Sequence, residues 1–107
     1  MPDCCQVTTT LPDRATAERI AAHLVEEHWA ACAQVVGPVD SSYRWEGRIE
    51  RATEWYCHLK TTRARATGLR ARLRTLHPYE TPEIVVVPFM EGDPDYLRWI
   101  ERSGADG

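Results

Sequence analysis

Apolar positions along the chain switch between two periods. Cys4 to Thr10 is a short β-prone run that Pro12-Asp13 interrupts, and Asp13 can cap a helix starting just after it. Ala17, Ile20, Ala21, Leu24, Val25 and His28 then recur at helical spacing, while Arg19, His23 and Glu26 would face water. Ala30 to Val36 reads as a buried strand, with Gly37-Pro38 as a bend or bulge. Alternation resumes at Ser42 to Trp45, Glu46-Gly47 signals a tight turn, and Arg48 to Glu50 leaves it. Glu54 to Thr61 is a long strand with Trp55, Cys57 and Leu59 on one side, so the segment is an antiparallel hairpin. A second helix is expected over Arg63 to Leu76, carried by Ala66, Leu69, Leu73 and Leu76, weakened slightly by Gly68 and ended by His77-Pro78. Glu83 to Phe89 reads as a buried strand near a sheet centre or interface. Asp93-Pro94 starts a short last helix with Tyr96, Leu97, Trp99 and Ile100, and Ser103 to Gly107 is expected to fray.

The order strand, helix, strand, strand, helix, strand, helix is the doubled split β-α-β pattern of an α/β (α+β) ferredoxin-like sandwich with an extra C-terminal helix. Two helices would cover one sheet face, leaving an apolar and aromatic face as an interface in waiting. The long hairpin also invites pairing between subunits. A length of 107 residues fits a single domain, 1-107, with a modest core that an oligomer would help.

Charge narrows the function classes. The formal net charge is -3, against the basic surplus of nucleic-acid binders. Arg63, Arg65, Arg70, Arg72 and Arg74 make the second helix basic, which a solvated face or interchain salt bridges would explain. No apolar run approaches a membrane span, and no basic-then-apolar leader is visible, so neither a membrane segment nor a signal peptide is expected. Cysteines at 4, 5, 32 and 57 form no C-x-x-C pair and read as thiols in a reducing compartment, the cytoplasm.

Candidate chemistry concentrates in Leu76 to Ile84 (LHPYETPEI). Two prolines stiffen a segment holding His77, Tyr79, Glu80 and Glu83. Imidazole and carboxylate donors suit a borderline divalent ion such as Cu2+ or Zn2+, with Cys32 or a partner chain completing the set. The alternative is a structural connection with His77 capping the second helix and Cys32 a small buried hydrophobe. Thr8, Thr9 and Thr10 lack the glycines of a phosphate loop and read as strand residues. His58 and Lys60 share a strand face and could meet an anion, but no nucleophile pairs with them, so an enzyme is not expected.

Five stretches together carry a family resemblance: TLPDRATAERIAAHLVEEHWAACAQV (Thr10 to Val35), SYRWEGRIE (Ser42 to Glu50), LKTT (Leu59 to Thr62), LHPYETPEI (Leu76 to Ile84) and GDPDYLRWI (Gly92 to Ile100). In these the chain resembles the CutA family of divalent-cation tolerance proteins. The resemblance implies a ferredoxin-like protomer in a compact homotrimer, similar in assembly to the PII signalling proteins, with the sheets packed about a threefold axis and the hairpins locking neighbours. It implies a cytoplasmic protein with a metal-tolerance role, response to metal ions and no required cofactor. Proposed copper ligands in the family are a cysteine near the end of the first strand and a histidine before the PYE segment. Here the first position is Thr9, which supplies no thiolate, and the second corresponds to Leu76 or His77. Trp29 where the family often has leucine, and Ala33-Gln34 for Val-Asn, imply local repacking. Two alternatives stay open beside metal binding. One is a PII-like sensor of a small anion or nucleotide in an inter-subunit cleft lined by Tyr43, Trp45, Lys60, His77 and Tyr79. The other is an adaptor trimer with no small ligand.

Overall fold

The computed structural model describes residues 3–105. Its elements are β1 (Cys4–Leu11), α1 (Arg14–Glu26), β2 (Cys32–Trp45), β3 (Arg48–Thr62), α2 (Arg63–Leu76), β4 (Ile84–Pro88) and α3 (Pro94–Ala105). The strands form one sheet in the order β2-β3-β1-β4, every pair antiparallel. This is the ferredoxin-like arrangement.

Local chemistry sets the helix boundaries. The Asp13 carboxylate accepts the Thr16 amide at 2.7 Å and starts α1. Thr62 does the same for Arg65 at the start of α2, and α2 ends at His77, whose backbone is extended ahead of Pro78. α1 stops at Glu26, short of His28, which takes a left-handed backbone (φ 63°) in the turn and so is not a helical position.

One core lies between the sheet and α1 and α2. Val7, Leu11, Cys57 and Leu59 meet Ala17, Ile20 and Leu24 of α1 and Leu69 and Leu73 of α2. Full burial of each Leu or Ile side chain contributes about 1.5–3 kcal/mol. Gly68 has a packing reason: a Cβ there would collide with Trp29 Cζ3, so the α2 backbone comes directly against the indole.

The hairpin is longer and more continuous than its sequence suggests. β2 runs through Gly37-Pro38, whose peptide is cis, with a register shift between Val36 and Val39. β3 is likewise unbroken. Trp45 pairs with Arg48 across Glu46 (φ 49°) and Gly47 (φ 79°), a two-residue turn with both central residues left-handed. The arm stretches the molecule to 44 Å along its long axis. Trp55, on the same side of β3 as Cys57 and Leu59, packs against the helix-side core and over Gly37.

The face away from α1 and α2 is mixed in character rather than apolar. Its centre carries Gln6, Thr8 and His58, joined by hydrogen bonds of 3.1 Å to His58 Nδ1, with Tyr56 stacked on the imidazole. Lys60 donates to Gln34 beside them. Exposed Val36, Val85 and Val87 flank this polar centre. β4 is an edge strand, not a central one: Ile84 and Val86 pack on the core while Val85 and Val87 are open. α3 covers one end of the same face through Leu97 and Ile100, which bury Cys4 with Phe89 and Ala31. Ser103 to Ala105 belong to this helix instead of fraying, because Arg65 donates to the Gly104 and His28 carbonyls and ties the helix end to α2 and to the turn after α1. Asp106 and Gly107 lie outside the described residues.

Candidate ligand groove

The connection from α2 to β4 crosses the end of β1 and faces the hairpin arm. Between them lies a groove of about 800 Å³, lined among others by Asp40, Tyr43, Trp45, Glu54, Tyr79 and Glu83. Its floor is a hydrogen-bonded pair. Tyr79 Oη donates to Glu54 Oε2 at 2.8 Å, and Glu54 is only 8% exposed. Burial first, and then the Glu54 hydrogen bond and charge, push the Tyr79 phenol above its ordinary range, so it remains a proton donor.

His77 stands behind this floor, on the β1 side. Its Nε2 is 3.0 Å from the Thr10 carbonyl and 3.0 Å from Thr9 Oγ1, and its Nδ1 accepts the Tyr79 amide at 3.1 Å. A carbonyl only accepts, so the proton sits on Nε2 and the Nδ1 lone pair is used. Burial, the largest influence, lowers the His77 pKa, assisted by the Arg74 charge and opposed by the Thr10 bond and Glu54. His77 therefore works as a neutral clamp that orders Pro78 and Tyr79. This extends the expected capping role, since its own backbone N–H also closes α2 on Leu73 at 2.9 Å.

The structure sorts the sequence candidates. Tyr43, Trp45, Tyr79, Glu80 and Glu83 all line the groove. Lys60 does not; it is on the open sheet face with Gln34. Cys32 is also elsewhere. It pairs in register with Lys60, itself opposite Gln6, and its thiol contacts Tyr96 Oη at 3.5 Å. Gln6 and Thr10 are separated by about 13 Å of strand at 3.3 Å per residue. The proposed grouping of Cys32 with His77, Glu80 and Glu83 is thus not assembled within one chain. Among the described residues no three His, Cys, Asp or Glu side chains are grouped to hold a metal ion. Asp40, Glu54 and Tyr56 are groove residues that the sequence left unmarked. Strand alternation was the available signal, for it puts Glu54 and Tyr56 on the face opposite Trp55 and Cys57.

The basic face of α2 is largely engaged within the chain. Arg72 forms a two-point pair with Glu27, both bonds 2.8 Å, and Arg74 donates to the Glu80 carbonyl at 3.0 Å, steadying the groove's rim.

Comparison with known proteins decides the lineage. The family model described as CutA1 divalent ion tolerance protein matches residues 5–103. The chain belongs to this family. The divalent-cation tolerance protein CutA of Citrobacter koseri is 42% identical over 103 residues, 96% of this chain and 90% of that one. The CutA crystal structure from Xylella fastidiosa is 38% identical with a TM-score of 0.91, covering 94% of this chain and 97% of that one. The CutA of Archaeoglobus fulgidus, described as periplasmic, is 35% identical with a TM-score of 0.91, covering 94% of this chain and 98% of that one. Among the described residues no helix is long and apolar enough to cross a membrane.

Proposed function

We propose that the protein serves the divalent-cation tolerance role of its family as a cytoplasmic homotrimer, binding divalent ions without enzymatic turnover. The observation that carries this reading is the groove. Asp40, Glu54, Glu80 and Glu83 line it without a Lys, Arg or His, yet among the described residues no three donors are grouped for a metal. A cation held by Glu80 and Glu83 thus takes its remaining donors from a second copy. The exposed Val36, Val85 and Val87 and the projecting arm supply surface for that association. Oxygen donors suit Zn2+ and harder ions better than cuprous copper, and Thr9 adds no thiolate. The four thiols at 4, 5, 32 and 57 are unpaired, in keeping with a reducing compartment.

The test is calorimetric titration of the metal-free protein with Zn(II) and Cu(II), beside a Glu80→Gln/Glu83→Gln variant. Saturable stoichiometric binding that the variant loses supports the reading. Weak, superstoichiometric heats that the variant leaves unchanged sink it. A PII-like anion sensor is the second reading, favoured by Lys60 and His58 on the open face rather than by the acidic groove; nucleotide binding without metal would support it. An adaptor trimer is what remains when neither ligand class binds.

A further inference from the structure

We propose that His58 is a pH-sensitive catch in the assembly: neutral, it lets a second copy cover the open sheet face, and protonated, it sets a second cation beside Lys60 in that contact and loosens it. The inference rests on the homotrimer reading above and adds its regulation. Strand register puts His58 in mid-sheet, in one row with Gln34 of β2, Thr8 of β1 and Val85 of β4. Half-exposed Val36, Val85 and Val87 lie around it, so a copy seated on them closes over the imidazole.

The hydrogen bonds call for a neutral ring. Gln6 Nε2 donates to Thr8 Oγ1 at 3.1 Å and lies 3.1 Å from His58 Nδ1. An amide nitrogen has no lone pair to offer, so Nδ1 accepts and the ring proton sits on Nε2. A proton on Nδ1 faces the Gln6 N–H and breaks this bond. It also adds charge two residues along the same face from Lys60, whose ammonium donates to Gln34 and not to a carboxylate. The neighbouring strands bring no compensating anion. β1 offers Gln6 and Thr8, β2 Gln34, β4 Val85 and Val87, and β3 the Tyr56 ring stacked on the imidazole. Farther along the face, Glu54 is bonded to Tyr79, and beyond Lys60 the Cys32 thiol meets Tyr96 of α3. Among the described residues no salt bridge reaches His58 or Lys60. Burial first, and then the Lys60 charge, lower the His58 pKa, so its contribution is intact above the unfolded value of about 6.5 and is lost as pH falls through the lowered one. A second copy excludes water and raises the cost of two unpaired cations.

The experiment is sedimentation velocity on a dilution series of the full-length protein at pH 7.5, 6.5 and 5.5, with enough urea to bring wild-type dissociation into range at pH 7.5. The variant is His58→Gln, which stays neutral throughout, and His77 is present in both proteins, so its titration cancels. The wild-type concentration for half-assembly should rise about tenfold to thirtyfold between pH 6.5 and 5.5, the upper figure corresponding to one proton taken up by each separating chain of a trimer. His58→Gln should show a much shallower rise. A trimer whose half-assembly concentration changes equally with pH in both proteins overturns this inference and leaves the homotrimer reading standing. A monomer at pH 7.5 in both, without urea, sinks the homotrimer reading and this inference with it. Imidazole ¹H–¹⁵N spectra of the wild-type trimer keep the test independent of the variant's folding: at pH 7.5 they should show His58 as the Nε2–H tautomer, and a charged ring or the Nδ1–H tautomer overturns the proposal.

Discussion

Replacing Tyr79 with Phe deletes one atom and tests how the groove is built. The lost oxygen donates at 2.8 Å to Glu54, a carboxylate 8% exposed in a β3 strand that is hydrogen-bonded on both sides. A hydrogen bond to a charged group contributes about 1.5–3 kcal/mol, and a buried acceptor left without its donor incurs a desolvation cost of similar size. The ring stays, so its packing on His77, with centroids 5.0 Å apart, is kept. Tyr79→Phe should therefore cost about 2 kcal/mol in urea unfolding at fixed protomer concentration. In a Glu54→Gln background the bond joins neutral partners, worth about 0.5–1.5 kcal/mol, so the same substitution should cost about 1 kcal/mol less there. A loss below about 0.5 kcal/mol in wild type, or equal losses in both backgrounds, would refute the claim that this charge-assisted bond holds the groove floor.

Other consequences are equally concrete. Gly68→Ala should destabilise despite alanine's helix preference, because the new methyl meets the Trp29 ring, with overpacking costing about 1–3 kcal/mol; in a Trp29→Leu background it should become stabilising by up to about 1 kcal/mol, and unfolding curves of the four proteins decide. The burial that depresses the His77 pKa makes the folded state resist a proton that the unfolded chain accepts, so its contribution is intact above the unfolded value of about 6.5 and is lost as pH falls through the folded one. His77→Gln should flatten the stability profile between the folded value and about 6.5, and long-range ¹H–¹⁵N spectra of the wild type at pH 7 should show the Nε2–H tautomer; the Nδ1–H tautomer would contradict the clamp. Arg65→Ala should release the end of α3 and raise hydrogen exchange selectively in residues 100–105, whereas uniform change would place its effect elsewhere.

Much of the fold was legible because local chemistry and periodicity agree. Asp13 and Pro78 bound the helices, Glu46-Gly47 supplies the turn that β2 and β3 need, and the Ile20/Leu24 and Leu69/Leu73 repeats mark the core. What escaped depends on contacts distant in sequence. The run Ile84 to Val87 looks doubly covered, and only the sheet order reveals an edge strand with one face open. Ser103 to Ala105 look too weak for a helix until Arg65, from α2, binds their end. The groove was half visible. Tyr79, Glu80 and Glu83 lie in one proline-stiffened segment, but Asp40 and Glu54 join them only because the hairpin runs on past the end of β1. Cys32 illustrates the converse, for a plausible ligand type in sequence is placed by strand register beside Lys60 and Tyr96.

Native mass spectrometry of the purified protein, sprayed metal-free and then with one equivalent of zinc per chain, tests the central claim most directly. The account predicts a species of three times the 12.2 kDa chain mass that takes up zinc stoichiometrically. A monomer, or a trimer that retains no zinc, would contradict it.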